Sequence, residues 1–110
     1  MINALYGQTI FNFLYSKVDG YRAASLSQSA RPGSHEELLY GEIPFETWQK
    51  IVARIQPKED AVFYDLGSGT GRVAFQSFLI YNFKKSAGIE LLGGLHEKAL
   101  EVEKNFNRLI

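Results

Sequence analysis

Asp65 and the three glycines that follow it, Gly67, Gly69 and Gly71, carry the clearest chemical pattern in the sequence. Glycine at every second position permits positive φ angles and lets a ligand come close to main-chain N–H groups. An aspartate at the end of a strand can accept a hydrogen bond from an ammonium group, and N–H groups at a helix N-terminus favour an anion. Because an amino acid carries both charges, the pattern predicts a site for the amino-acid part of a ligand.

A second carboxylate, that of Glu90, ends a short β-compatible run and lies 25 residues after Asp65. In strand-helix-strand units that bind nucleotides, an acid at the end of the second strand hydrogen-bonds the ribose hydroxyls. The dinucleotide fingerprint has its third glycine three positions after the second, whereas Gly71 follows Gly69 by two positions. The spacing therefore disfavours a pyrophosphate, and an adenosyl group joined to an amino acid fits both acidic anchors.

These two stretches resemble the class I S-adenosylmethionine-dependent methyltransferases. Together with Tyr40-Gly41-Glu42 and the amphipathic helix pattern that begins at Pro44, they resemble more specifically the Disruptor of telomeric silencing family of non-SET histone-lysine methyltransferases, over about residues 38–109. The resemblance implies S-adenosylmethionine as cofactor and a protein lysine as methyl acceptor. The cofactor-binding residues that it implies are Tyr40, Glu42, Asp65, Gly67, Ser68, Gly69, Gly71, Arg72 and Glu90.

The resemblance also implies individual roles. Residues 40–43 would fold over the cofactor, Asp65 would hold the methionine ammonium group, and Glu90 would hold the ribose. Two positions depart from the usual pattern of the family. Arg72 stands where glutamine is common near the methionine carboxylate, and a charged donor there favours a carboxylate more strongly. Ile43 stands where threonine is common, and its side chain cannot donate a hydrogen bond.

The composition of the 110-residue chain limits the classes of protein to which it can belong. Hydrophobic residues make up 45% of it, which is enough for a folded core, and 12 basic residues balance 12 acidic ones, so there is no strong nucleic-acid signal. The absence of cysteine fits the cytoplasm, or the nucleus of a eukaryotic cell. His35 and His96 lack metal-ligand spacing, and no run approaches the roughly 20 apolar residues of a membrane span. We expect a cytoplasmic protein with neither a metal nor a membrane partner.

Apolar periodicity predicts the elements that must position the site. Helices are expected at residues 4–18, 45–56, 73–81 and 95–109, and strands at residues 62–66 and 86–90. Residues 19–33 have the composition of a loop, and Ser34 with Glu37 forms a capping-box pattern. We expect the last helix to pack on the second strand, and we assign structural roles to Gln76 and Ser77.

The predicted fold class is α/β, and the resemblance implies an incomplete Rossmann-like class I methyltransferase fold with two parallel strands. Residues 1–33 are expected to form an N-terminal helix and loop, and residues 34–110 the first part of an S-adenosylmethionine-binding domain. A complete fold of this class has several more strands. The free edges of the sheet are therefore expected to pair with another segment or chain.

Three functions stay open on the sequence alone. The first is the donor-binding part of a methyltransferase, expected to be inactive as this 110-residue chain because the catalytic residues around the acceptor lysine would lie beyond Ile110. The second is a non-catalytic cofactor-binding or assembly module that pairs with a complementary half. The third is a half-domain that binds NAD or FAD, which Glu90 permits and the glycine spacing disfavours.

Overall fold

A computed structural model describes residues 4–30 and 40–109 of the chain. Within these residues it contains five helices and one sheet of two strands. In chain order the elements are α1 (Ala4–Tyr15), α2 (Gly20–Ser29), α3 (Phe45–Ile55), β1 (Val62–Leu66), α4 (Arg72–Ile80), β2 (Lys85–Ile89) and α5 (Gly93–Leu109). The predicted helices and strands are confirmed, with ends that shift by a few residues. The capping-box pattern at Ser34 and Glu37 lies outside the described residues.

β1, α4 and β2 form one parallel strand-helix-strand unit. Val62 pairs with Lys85 at one end of the sheet, and Leu66 pairs with Ile89 at the other. A parallel pair needs a crossover such as α4, because both strands run in the same direction. The strands therefore end at the same edge of the sheet, where the glycine loop (residues 67–71) follows β1 and Glu90 follows β2.

The main apolar core forms where α1 meets the helices around the sheet. Phe11, Leu14 and Tyr15 of α1 are buried in it. The other buried members are Phe45 of α3, Leu79 of α4, and Val102 and Phe106 of α5. The interpretation of α1 as a core helix is confirmed, and α1 lies directly against α4, which begins at the glycine loop.

The prediction of a loop over residues 19–33 is wrong for Gly20–Ser29, which form helix α2, and residues 31–33 lie outside the described part of the chain. The Asp19 side chain accepts a hydrogen bond of 3.0 Å from the Arg22 N–H, which caps the first turn of the helix. Ala24 is buried and packs with Leu92, directly before α5, and with Leu95 in the first turn of α5. This packing joins residues that are far apart in sequence, so the local serine-rich composition gives no sign of it.

Helix α5 packs mainly on α1 and α2, which corrects the prediction that it packs on the second strand. Leu95 lies in the cluster with Ala24, and Val102 and Phe106 lie in the main core. The space between α5, α4 and β2 is a cavity of about 300 Å³, with Phe75 and Phe78 among its lining residues. The apolar stripe of α5 is as predicted, but it packs chiefly on the two N-terminal helices, and Phe106 also contacts Phe75 and Phe78 of α4.

One face of the sheet is open. Phe63 of β1 contacts the Trp48 ring on the covered face, with ring centroids 5.8 Å apart. The apolar side chains on the other face are exposed, and they are Val62, Tyr64 and Leu66 of β1 and Ile89 of β2. Within the described residues the two strands pair only with each other. Both outer edges are therefore free in this part of the chain, as the sequence predicts.

The division of the chain after residue 33 stays a prediction, because that boundary lies outside the described residues. The first helix shares its core with α3, α4 and α5. None of the described helices has the length and apolar character needed to cross a bilayer.

The N-cap of α2 gives a direct test of this helix. Asp19→Ala removes the acceptor for the Arg22 N–H, and it is expected to lower the free energy of unfolding by about 1 kcal/mol. Asp19→Asn keeps a side-chain acceptor and is expected to cost little. Urea denaturation followed by circular dichroism measures both values. Equal stability of the two variants would contradict the capped helix.

Candidate functional site

Asp65 lines a cavity at the carboxyl end of β1. Burial, with a smaller contribution from the nearby Glu90 carboxylate, raises the pKa of Asp65 above its usual range. The same carboxylate would be stabilised by a cation placed beside it, because an opposite charge favours the ionised form. Asp65 is thus suited to accept a hydrogen bond from a cationic group in the cavity.

The glycine loop turns sharply between β1 and α4. Gly67, Gly69 and Gly71 have φ angles of 87°, 58° and 84°, which is the left-handed region that glycine enters without a steric penalty. The alternate glycines are thus needed for the path of the backbone, as the sequence predicts.

The N–H groups of these glycines point into the protein, contrary to the prediction that they face a ligand carboxylate. Gly67 donates to the Ile89 carbonyl at 2.8 Å, and Gly71 donates to the Ser68 carbonyl at 2.9 Å. Gly69 donates to Glu90 Oε1 at 2.7 Å. The loop therefore shapes the cavity. A ligand carboxylate would need a hydrogen-bond donor other than these three glycine N–H groups.

Glu90 joins the two strand ends. Its Oε1 accepts the bond from Gly69, and its Oε2 accepts a hydrogen bond of 2.8 Å from the Leu92 N–H. An ionised carboxylate has about four acceptor positions, so these two bonds leave others free. Glu90 is partly exposed at the edge of the site, and it retains the capacity to accept hydroxyl groups such as those of a ribose.

Residues 40–43 cover the glycine loop. The Tyr40 hydroxyl donates to Glu42 Oε2 at 2.7 Å and lies 3.3 Å from Thr70 Oγ1. The Tyr40 ring lies over Gly69, and Tyr21 of α2 contacts it edge-on with ring centroids 5.1 Å apart. Burial is the main cause that raises the pKa of Tyr40 well above its usual range. Tyr40 is thus a neutral hydrogen-bond donor in the wall of the site.

Two buried side chains of α4 support this wall. Gln76 Nε2 donates to the Ile43 carbonyl at 2.8 Å, and Ser77 Oγ accepts a hydrogen bond of 2.8 Å from Trp48 Nε1. Both residues are fully buried, which agrees with the structural roles assigned to them. Residue 43 is held through its main chain, so the isoleucine side chain does not prevent the contact with α4.

Arg72 opens α4 beside this wall. Its Nε atom lies 3.7 Å from Glu42 Oε1, and its guanidinium group lies over the rings of Phe11 and Tyr15, at 4.8 Å and 5.3 Å from their centroids. The Tyr15 hydroxyl donates to the Thr70 carbonyl at 2.8 Å. Sequence reasoning missed the contacts of Phe11, Tyr15 and Thr70 with the site, because α1 shows only an apolar stripe and the loop pattern gives weight to its glycines.

The cavity enclosed by these residues has a volume of about 330 Å³. It brings together seven of the nine predicted site residues, which are Tyr40, Glu42, Asp65, Gly67, Ser68, Gly69 and Arg72. The other two, Gly71 and Glu90, adjoin it through the glycine loop. Two segments separated by more than 20 residues thus form one site.

The described residues contain no group of three or more histidine, cysteine, aspartate or glutamate side chains that could hold a metal ion. His96 is exposed on α5, and His35 lies outside the described part of the chain. The charged groups that line the cavity are the carboxylates of Glu42 and Asp65 and the guanidinium of Arg72.

The parallel strand-helix-strand unit has Asp65 near the end of β1, Glu90 directly after β2, and the glycine loop between β1 and α4. It defines a partial α/β protein with a ligand site at the carboxyl ends of its strands. A family model described as "Histone methylation protein DOT1" matches residues 15–110, and the chain belongs to this family. The resemblance stated from the sequence is thereby confirmed. No curated protein and no solved structure gives a significant match.

Membership of this family gives the chain a function related to histone methyltransferases. Methyltransferases of the family use S-adenosylmethionine in general, and their substrates are proteins of the histone type.

Two glycine substitutions test the packing of Tyr40 on the loop. A Cβ atom on Gly69 would lie 2.8 Å from Tyr40 Cε1, whereas one on Gly67 would meet nothing within 4 Å. Each alanine variant should lose about 1–2 kcal/mol of unfolding free energy through its positive φ angle. Gly69→Ala should lose more than Gly67→Ala, since it also displaces the Tyr40 ring. Chemical denaturation measures both losses, and equal losses would contradict the contact.

The raised pKa of Asp65 predicts a pH dependence. A carboxyl group with a raised pKa in the folded state stabilises that state below its unfolded value, and this stabilisation is lost as pH rises through the folded value. Asp65→Asn removes the ionisation, so the variant should be more stable than the natural chain at neutral pH, and this advantage should shrink as the solution becomes acidic. Denaturation of both proteins between about pH 4 and pH 8 measures the difference. A constant difference across this range would show that Asp65 titrates normally.

Proposed function

We propose that this chain binds S-adenosylmethionine and forms the donor-binding part of a protein-lysine methyltransferase of the histone-methylation type. The observation that carries the proposal is the cavity of about 330 Å³ in which Tyr40 and Glu42 meet Asp65, the glycine loop and Arg72. The cavity thus brings together residues from the Tyr40-Gly41-Glu42 motif and from the glycine-loop motif, both of which carry the resemblance to the family. Family membership supports the reaction class independently of this geometry.

The charges around the cavity suit the two ends of the amino-acid part of this cofactor. The Asp65 carboxylate matches its ammonium group, and the Arg72 guanidinium matches its carboxylate. Glu90, at the end of β2, matches the ribose hydroxyls. Three carboxylates against one guanidinium also favour a ligand with net positive charge, as the sulfonium compound has, over the anionic pyrophosphate of NAD or FAD.

The chain contributes binding and orientation to the reaction. When bound, S-adenosylmethionine supplies an electrophilic methyl group on its sulfonium sulfur. Asp65, Arg72 and Glu90 would fix the amino-acid and ribose ends, and residues 40–43 would cover the amino-acid end and exclude water. Methyl transfer to an amine depends chiefly on alignment of the two reacting groups, for which such positioning is the main contribution. Tyr40, with its raised pKa, stays protonated and acts as a donor to Glu42.

We infer that the partial α/β fold belongs to a Rossmann-like class I methyltransferase domain, and the parallel strand-helix-strand unit and family membership support this inference. The free outer edges of β1 and β2 favour a second, compatible role: strand pairing with a complementary half. Elements of that half could also cover the open face, where Val62, Tyr64, Leu66 and Ile89 are exposed. The methyl acceptor that we propose is a protein lysine, and the support for it is family membership.

Calorimetric titration with S-adenosylhomocysteine, the product form of the cofactor, tests the donor site. Asp65→Asn and Glu90→Gln should each weaken binding about tenfold or more, because each removes a charged acceptor. Asp60→Asn and Glu97→Gln make the same chemical changes at exposed positions, and they should bind like the natural chain. Circular dichroism checks that all five proteins are folded.

Equal affinity in all four variants would overturn the site assignment. A parallel titration with NADH distinguishes the dinucleotide alternative, since saturable NADH binding without S-adenosylhomocysteine binding would assign the glycine loop to a different cofactor.

A further inference from the structure

Arg72 rests on a pair of aromatic rings contributed by α1. We call Phe11 and Tyr15 the aromatic platform: their ring centroids are 4.8 Å apart, and the Arg72 guanidinium lies 4.8 Å and 5.3 Å from the two rings. Phe11 and Tyr15 are only 2% and 6% exposed. Rings so firmly packed fix the plane and position of the guanidinium, which stacks on aromatic faces through its own planar surface.

The Arg72 guanidinium group can stack on the two rings without using its N–H groups as hydrogen-bond donors. The Arg72 Nε atom is buried and has no hydrogen-bond partner within the described part of the chain, and Glu42 Oε1, at 3.7 Å, is an ion-pair partner beyond hydrogen-bond distance. A buried donor without a partner carries a free-energy cost that a suitable acceptor removes. Arg72 lines the cavity and 21% of its side-chain surface is exposed, so a ligand carboxylate can reach the exposed part of the guanidinium group.

Four other donors near the cavity are already used within the protein. Gly67, Gly69 and Gly71 donate to Ile89, Glu90 and Ser68 within the protein, and the Tyr40 hydroxyl donates to Glu42. Arg72 carries the one positively charged side chain among the described residues that line the cavity, so charge directs a ligand carboxylate to it.

Phe11 lies outside the segment that matches the family. The match begins at residue 15, so the first ring of the platform and the preceding turns of α1 belong to a part of the chain that family membership does not describe. Its contact with Arg72 is a feature of this chain's own packing.

We propose that the aromatic platform makes α1 a specificity-determining element: it positions Arg72 to select ligands that carry an α-carboxylate on the amino-acid side of the cavity. This inference rests on the proposed function, because it concerns the same cavity. Phe11 and Tyr15 are positioning residues that act through Arg72, and Tyr15 also fixes the glycine loop through its bond to the Thr70 carbonyl.

The test compares two ligands that differ in one group. S-adenosylhomocysteine carries the carboxylate, and its decarboxylated analogue keeps the adenosyl group, the sulfur and the ammonium group. The natural chain should bind the first at least about tenfold more tightly than the second, as expected for a hydrogen-bonded ion pair. Arg72→Met, which keeps the length of the side chain and removes every N–H donor, should reduce this ratio of dissociation constants towards one, with little change for the decarboxylated analogue.

Phe11→Leu tests the platform, and Phe106→Leu is its matched control. Both replace a buried phenylalanine of the same core, but the contacts of the Phe106 ring are with Phe75 and Phe78 rather than with Arg72. Both variants should lose stability in denaturation experiments. Phe11→Leu should lower the ratio several-fold, whereas Phe106→Leu should leave the ratio unchanged.

Each outcome has a distinct meaning. Equal binding of the two ligands by the natural chain would overturn the inference while leaving the donor site intact. A ratio that falls equally in both leucine variants, or in neither, would reduce Phe11 to a core residue. Failure of the folded natural chain to bind either ligand would overturn the proposed function, and this inference with it.

Discussion

The Glu90 carboxylate joins the ends of the two strands, and the geometry of the candidate site depends on this junction. One oxygen accepts the Gly69 N–H at 2.7 Å, and the other accepts the Leu92 N–H at 2.8 Å. The Ile89 carbonyl takes two further bonds from the start of the same loop. Since unpaired polar groups are costly when they are partly buried, these bonds hold the loop in one conformation. The loop thus meets a ligand with its shape already set, which reduces the entropic cost of binding.

A second layer of the site is fitted to that loop from distant parts of the chain. The Tyr40 ring lies between Tyr21 of α2 and Gly69 of the loop, and Gly20 makes room for Tyr40 and Glu42 because it has no side chain. From the other side, α4 holds the Ile43 carbonyl through Gln76. The two N-terminal helices are therefore walls of the site as well as parts of the core.

Local sequence patterns were sufficient for the strand-helix-strand unit and insufficient for its surroundings. Asp65, Glu90 and the alternate glycines were predicted because each has a backbone or charge requirement that is visible within a few residues. Helix α2 was missed because its support comes from Ala24 packing on α5, a contact that spans most of the chain. The use of the glycine N–H groups was also missed, because two of their three acceptors, Ile89 and Glu90, lie at the end of β2 and directly after it. Partners distant in sequence decide such details, and periodicity does not reveal them.

Trp48 is the one tryptophan of the sequence, and its place in the fold has a practical consequence. Its ring lines the cavity, and its Nε1 atom donates to the buried Ser77 hydroxyl at 2.8 Å. The tryptophan fluorescence of this chain therefore comes from one ring in the wall of the candidate site. The emission wavelength of Trp48 depends on the polarity around its ring, so it can report a change in the cavity without an added label. No second tryptophan contributes to the signal.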